Sequence, residues 1–299
     1  EYFMVSSPHT FDFPPYRPPS EAQSMLLRVT HGCPWNKCAF CSMYRKYPFA
    51  RKSMAEIKAD IDLMPAVYGT HANHVFLGDS NSLLLSAAAL VEILEHLYSV
   101  FPGLKRVTSY ARAKTVMKKS LDDLKAIREA GLTRLHIGLE SGSDEVLKMI
   151  RKGATADEII AGGLKSKEAG FDCSIYVLLG IGGMEHTMDH RRGTVRVLNA
   201  IDPHFIRVRT LTQIPKSDIA RWIADGSFTQ VTPLVSIEEE RDIVAGLEVT
   251  SRFLNDHASN IVPLDGKLPE DKERMLQALE QGIVYCRKHE VGYADYRYL

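Results

Sequence analysis

Three of the five cysteines fall within nine residues, as Cys33, Cys38 and Cys41 in the run His31-Gly32-Cys33-Pro34-Trp35-Asn36-Lys37-Cys38-Ala39-Phe40-Cys41. Three thiolates on one short loop can hold three corners of an iron–sulfur cube. No fourth cysteine lies nearby, so one metal position has no cysteine ligand. An open position is what catalysis at a metal requires and what a structural site avoids. A Cys3His zinc site that recruits His31 is the alternative, although His31 stands only two residues before Cys33 and no second, separated ligand pair follows. A disulfide framework fits poorly. The count is odd, Cys173 and Cys286 are far away, and a chain of this size buries a core without staples. On the loop alone, a cluster is favoured over zinc and both stay open.

The loop directly follows Met25-Leu26-Leu27-Arg28-Val29-Thr30, which reads as a strand. Apolar β-rich runs recur at 26–30, 74–78, 105–110, 133–139, 173–180 and 204–211. Helical patterns lie between them, at 53–64, 87–100, 120–130, 156–169 and 187–200, with Ser53, Ser86 and Ser120 as caps and Gly131 and Gly170 at C-termini. Six βα repeats require a parallel sheet, because parallel strands need a crossover. Six units suit an open, partial barrel or a doubly wound sheet, and either gathers functional groups at the C-terminal strand ends.

Residues 1–24 are expected to form a proline-rich extended arm whose aromatics pack on the body, 25–215 the α/β barrel, and 216–299 a helical cap with helices over 236–254 and 269–288. The last residues, 292–299, are expected as an ordered tail.

Strand alternation places His136, Gly138 and Glu140 on one face of the fourth strand, and Arg207 and Arg209 on one face of the sixth. Two inward arginines suit an anionic group, or an internal ion pair. Tyr110, Arg112 and Tyr176 are further inward candidates. His186 and His190, four apart, have metal-binding spacing but no supporting carboxylate signature. Asp256, His257 and Asn260 could close over a substrate, with a solvated loop as the simpler reading. Cys173 and Cys286 read as small buried residues.

The 299 residues are 45% hydrophobic and 25% charged, with 37 basic and 37 acidic side chains. That balance argues against a long polyanion as the main partner. No apolar stretch nears the roughly 20 residues of a membrane span, and no signal peptide is visible. With reduced thiols, this points to the cytoplasm.

The cysteine loop at the end of a first strand resembles that of the radical S-adenosylmethionine (SAM) superfamily. The usual family spacing is C-x3-C-x2-C with an aromatic before the last cysteine; Cys38-Ala39-Phe40-Cys41 fits, and the first gap is one residue longer. Gly78-Asp79-Ser80-Asn81 is loosely similar to the segment that meets SAM's amino group. Gly138-Leu139-Glu140-Ser141-Gly142-Ser143 is very similar to a segment of the Elongator, methylthiotransferase and coproporphyrinogen-oxidase branch. Leu179-Gly180-Ile181-Gly182-Gly183-Met184-Glu185 is similar to that branch's segment near the adenine.

The resemblance, over residues 25–211, implies a partial (βα)6 TIM-like barrel, a [4Fe-4S] cluster on Cys33, Cys38 and Cys41, and SAM bound near Phe40, Gly78, Asp79, Ser80, Glu140, Ser141, Ile181 and Gly182. It implies reductive SAM cleavage to a 5′-deoxyadenosyl radical that abstracts hydrogen. Glu140, and from the strand alternation Arg207 and Arg209, are the catalytic candidates. The balanced charge favours a small-molecule substrate, with an electron donor such as flavodoxin or ferredoxin. The alternatives are a tRNA- or protein-modifying member, or a non-catalytic zinc or iron–sulfur protein.

Overall fold

The computed structural model describes residues 16–292; the first part of the arm and the end of the tail lie outside the described residues. The chain opens with β1 (Met25–Arg28), then β2 (Thr30–His31) and β3 (Ala50–Arg51), which form a small antiparallel ribbon of their own flanking the cysteine loop. Regular alternation follows: α1 (Met54–Tyr68), β4 (His74–Gly78), α2 (Ala87–Val100), β5 (Arg106–Ala111), α3 (Ala113–Lys118), α4 (Leu121–Glu129) and β6 (Leu132–Glu140). Next come α5 (Asp144–Met149), α6 (Ala156–Glu168), β7 (Asp172–Leu179), α7 (Thr187–Ile201) and β8 (Phe205–Thr210). The chain finishes with α8 (Asp218–Ala224), α9 (Pro233–Gly246), β9 (Arg252–Asn255), β10 (Leu264–Lys267) and α10 (Lys272–His289).

One sheet runs β1-β4-β5-β6-β7-β8-β9-β10. Its first six strands are those expected from the sequence, parallel and in chain order. The result is an α/β, partial TIM-like barrel. Side-chain hydroxyls cap several helices at the expected places: Ser53 accepts from Glu56 N–H in a capping box on α1, and Ser86 and Ser120 cap α2 and α4.

The helical pattern expected over 236–254 divides. α9 stops at Gly246, and β9 pairs parallel with β8. Phe253 and Leu254 are buried there, so burial against the sheet outweighs continued helical periodicity. β10 then adds antiparallel, so the sheet continues beyond residue 215.

The two faces of the strands differ in character. Leu27, Leu77, Val107, Ile137, Ile175 and Ile206 are fully buried in the core shared with the helices. The inner face carries Arg28, Tyr110, His136, Gly138, Tyr176, Arg207 and Arg209. α7 presses directly on the turn after β6: a Cβ on Gly142 would stand 2.0 Å from the Gly193 carbonyl oxygen, so both positions require glycine.

The described part of the arm packs on the barrel. Tyr16 meets the Tyr44 ring edge-on at 5.3 Å. A 3-10 turn at Pro19–Glu21 buries Glu21, whose carboxylate accepts from Ser24 Oγ (2.6 Å) and Arg106 (3.2 Å) and lies 3.4 Å from His136 Nε2. Among the described residues, no helix is long and apolar enough to cross a membrane.

Candidate active site

The cysteine loop is tied down along its length. Gly32 N–H donates to the Asp79 carboxylate at 2.7 Å, and the same carboxylate takes a two-pronged contact from Arg28 at 2.9 and 2.8 Å. Ala39 N–H donates to the Ile150 carbonyl (2.8 Å), and Ile219 N–H donates to the Ala39 carbonyl (3.1 Å). Trp35 Nε1 donates to the Arg151 carbonyl (2.8 Å). The Trp35 ring takes the Arg112 guanidinium at 4.7 Å and lies against Gly153. Arg45 donates to the carbonyls of Cys38 and Cys41 and pairs with Asp218 at 2.9 Å.

Held in this way, Cys33, Cys38 and Cys41 all line a single cavity of about 320 Å³ at the C-terminal ends of the strands. Burial raises the Cys38 thiol pKa and pushes the Cys41 thiol up to about 11. Metal ligation requires thiolates, so loading the site releases protons.

These residues fit a cluster better than a single ion. Among the described residues, no three His, Cys, Asp or Glu side chains are gathered closely enough to hold one metal ion. His31 pairs with Ala50 in the β2–β3 ribbon and does not line the cavity, so it does not complete a zinc site. Three thiols spread around a cavity suit a cube that takes one thiolate on each of three irons.

The other wall is built at the end of β6. The register slips between Gly138 and Glu140, and Glu140 has φ 65°. Its carboxylate accepts from Lys152 Nζ at 2.7 Å. This pair lies directly over Gly138, where a Cβ would stand 2.2 Å from Glu140 Oε1 and 2.6 Å from Lys152 Nζ. Phe40, Ser80, Glu140 and Arg209 line the cavity with the cysteines. Ser80 Oγ donates to the Gly32 carbonyl at 3.1 Å, and the Arg209 guanidinium lies 5.3 Å from the Tyr176 ring centre.

Other sequence candidates stand elsewhere. Asp79 is buried with its carboxylate spent on Arg28 and Gly32, so it braces the loop and does not face the cavity. Gly78 lies beneath the Arg28 side chain. Ser141 is buried 3.0 Å from His190 Nδ1. Ile181 and Gly182 are buried in the turn after β7, outside the cavity lining. Arg207 lies inside the barrel, nearly buried, and its Nε has no hydrogen-bond partner. His186 and His190 do not form a metal pair: His190 is buried 4.0 Å from Glu239 and His186 pairs with Asp189.

From the C-terminal segment, His257 and Ser259 reach the cavity, where Ser259 Oγ accepts from Thr210 N–H at 3.2 Å. Sequence reasoning passed over Trp35 and Lys152. The one available signal was the Lys152-Gly153 pair beside the short helix, which carries no chemistry by itself. His136 lies at the cavity floor, 3.5 Å from the Tyr176 hydroxyl; burial lowers its pKa to about 4, so it is neutral at pH 7.

Residues 27–198, more than half of the chain, match the family model of the radical SAM superfamily. The chain belongs to the radical SAM superfamily. It is 26% identical over 203 residues to 4′-phospho-dehydrooxetanocin synthase of Priestia megaterium, over 60% of this chain and 27% of that protein. It is 22% identical over 144 residues to heme chaperone HemW of Bacillus subtilis (strain 168), over 48% of this chain and 38% of that protein. The chain thus spans well under half the length of these curated relatives.

The radical SAM methyltransferase TsrM from Kitasatospora setae, with cobalamin and a [4Fe-4S] cluster bound, superposes with a TM-score of 0.55 at 15% identity. The match covers 86% of this chain and 60% of that one, a likeness of fold. Radical SAM enzymes use a [4Fe-4S] cluster and SAM, and the three thiols around this cavity are the residues that would hold the cluster here.

Proposed function

We propose that this radical SAM enzyme acts on a small molecule bound in the cavity beside Cys33, Cys38 and Cys41. When bound and reduced, the cluster supplies the electron that splits SAM into methionine and a 5′-deoxyadenosyl radical, which takes hydrogen from the substrate. The observation that carries this reading is the convergence of the three thiols on the cavity that Glu140, Tyr176 and Arg209 also line. Glu140, steadied by Lys152, offers a carboxylate to SAM's ammonium or ribose hydroxyls, and Ser80 adds a hydroxyl. Phe40, Tyr44, Tyr110, Tyr176, Leu178 and Leu211 give the cavity an apolar wall that excludes water from a reactive radical.

A cavity of this size and the balanced charge favour a small substrate over nucleic acid. The electron comes from an external reductant, such as a flavodoxin or ferredoxin. Five unpaired cysteines suit a reducing compartment such as the cytoplasm.

Anaerobic reconstitution tests the ligand assignment. Wild-type protein is expected to take up about four irons and four sulfides per chain, as one cube requires. C33A, C38A and C41A should each lose most of this while C173A keeps it. Full iron and sulfide retention in any of the three loop variants would remove that cysteine from the ligand set.

A further inference from the structure

Arg209 and Arg207 project from one face of β8 into the barrel, Arg209 at the cavity and Arg207 one layer deeper beside Tyr176. Among the described residues neither guanidinium has a carboxylate within ion-pairing distance. Arg207 is only 8% exposed and its Nε has no acceptor. The other cations of the cavity wall are committed. Lys152 is paired with Glu140 at 2.7 Å. Arg112 donates to the carbonyls of Lys152 and Gly153 at 3.0 and 3.5 Å and stacks on Trp35. Glu140 is the one carboxylate among the cavity's described lining residues, and Lys152 already neutralises it. The buried Glu21 carboxylate beyond Tyr176 is paired with Arg106, so among the described residues neither arginine has an ion-pair partner at the β8 end of the cavity, where His257 adds a further polar group. A desolvated cation without a counterion is costly, and an anion arriving there recovers that cost.

We infer that the substrate is a small organic anion whose carboxylate or phosphate is held by Arg209, with Arg207 reinforcing the field from beneath. Its carbon body lies against Tyr110, Tyr176 and Leu211, which line the same cavity. The inference rests on the proposed radical SAM reading of this cavity. SAM brings a carboxylate of its own, and a titration with and without SAM tells the two anions apart. Arg209 has Tyr176 and His257 as neighbours.

The test uses inorganic pyrophosphate as probe, titrated calorimetrically into cluster-loaded protein at low ionic strength, with and without saturating SAM. Wild-type protein should bind it equally well in both conditions. R209M should bind about tenfold more weakly, the loss expected when a charge-assisted hydrogen bond is removed, and R209K should stay within about threefold. Thermal melts of both variants establish that they fold, with R209Q as substitute if R209M does not. Absence of pyrophosphate binding by wild-type protein, or unchanged binding by R209M, overturns the inference. So does displacement of pyrophosphate by SAM, which would assign the arginine to SAM's own carboxylate. Methionine release from SAM by the reduced wild-type protein reports separately on the underlying reading. Release without pyrophosphate binding would defeat the anion inference alone.

Discussion

Removing the carboxylate of Asp79 separates two roles that a strand-end acid can have. The Arg28–Asp79 pair is made at 2.8 and 2.9 Å with both side chains 5% exposed or less. Asp79 also accepts from Gly32 N–H at 2.7 Å, one residue before the first cysteine. D79A takes a bidentate carboxylate from a buried guanidinium and the acceptor from a buried N–H. Breaking a buried pair from one side costs about 3–5 kcal/mol. Against a total stability of roughly 5–15 kcal/mol this is a large fraction. At about 2–4 °C per kcal/mol for a chain of this size, the melting temperature should fall by roughly 6–20 °C. D79N keeps an acceptor for Gly32 and should lose less than D79A. Urea unfolding and thermal melts of the metal-free protein give both numbers without involving SAM. If D79A unfolds within about 0.5 kcal/mol of wild type while SAM affinity collapses, Asp79 is a SAM ligand and the bracing role assigned to it is wrong.

Glu240 is fully buried, accepts from Asn255 Nδ2 at 2.5 Å, and is pushed up to about 8 by burial. Its folded pKa lies above its unfolded one, so stability is fullest below about pH 4.5 and is lost as pH rises towards 8. E240Q should therefore gain about 2–4 kcal/mol at pH 8 and flatten the pH dependence of urea midpoints between 4.5 and 8; an unchanged slope would refute this. Gly153 has φ 73°, and a Cβ there would stand 2.2 Å from the Trp35 ring. G153A should cost about 1–3 kcal/mol and lower the iron-to-protein ratio by loosening the loop, whereas wild-type melting and iron content would dissociate Trp35 from loop anchoring.

The parts of the molecule legible in the sequence are those with local signatures. Strands β1, β4 to β8 and the Ser53, Ser86 and Ser120 caps follow from patterning and hydrogen-bond chemistry within a few residues. The cysteine triplet is legible because its ligands lie on one loop. β9 was hidden because Ile243, Val244 and Leu247 continue a helical spacing, while the pairing that makes 252–255 a strand comes from β8, more than forty residues earlier. The contacts of Asp79 were not legible for a similar reason: its partner Arg28 lies 51 residues away on a neighbouring strand, and no spacing rule links them. Lys152 escaped notice because its reach to Glu140 depends on where α5 turns the chain back.

The most direct measurement of the central claim is SAM turnover by anaerobically reconstituted, dithionite-reduced protein, followed by mass spectrometry of the products. The account predicts 5′-deoxyadenosine and methionine in equal amounts, both lost in C33A, C38A and C41A. Protein that carries an intact cluster and binds SAM, yet forms neither product, would contradict it.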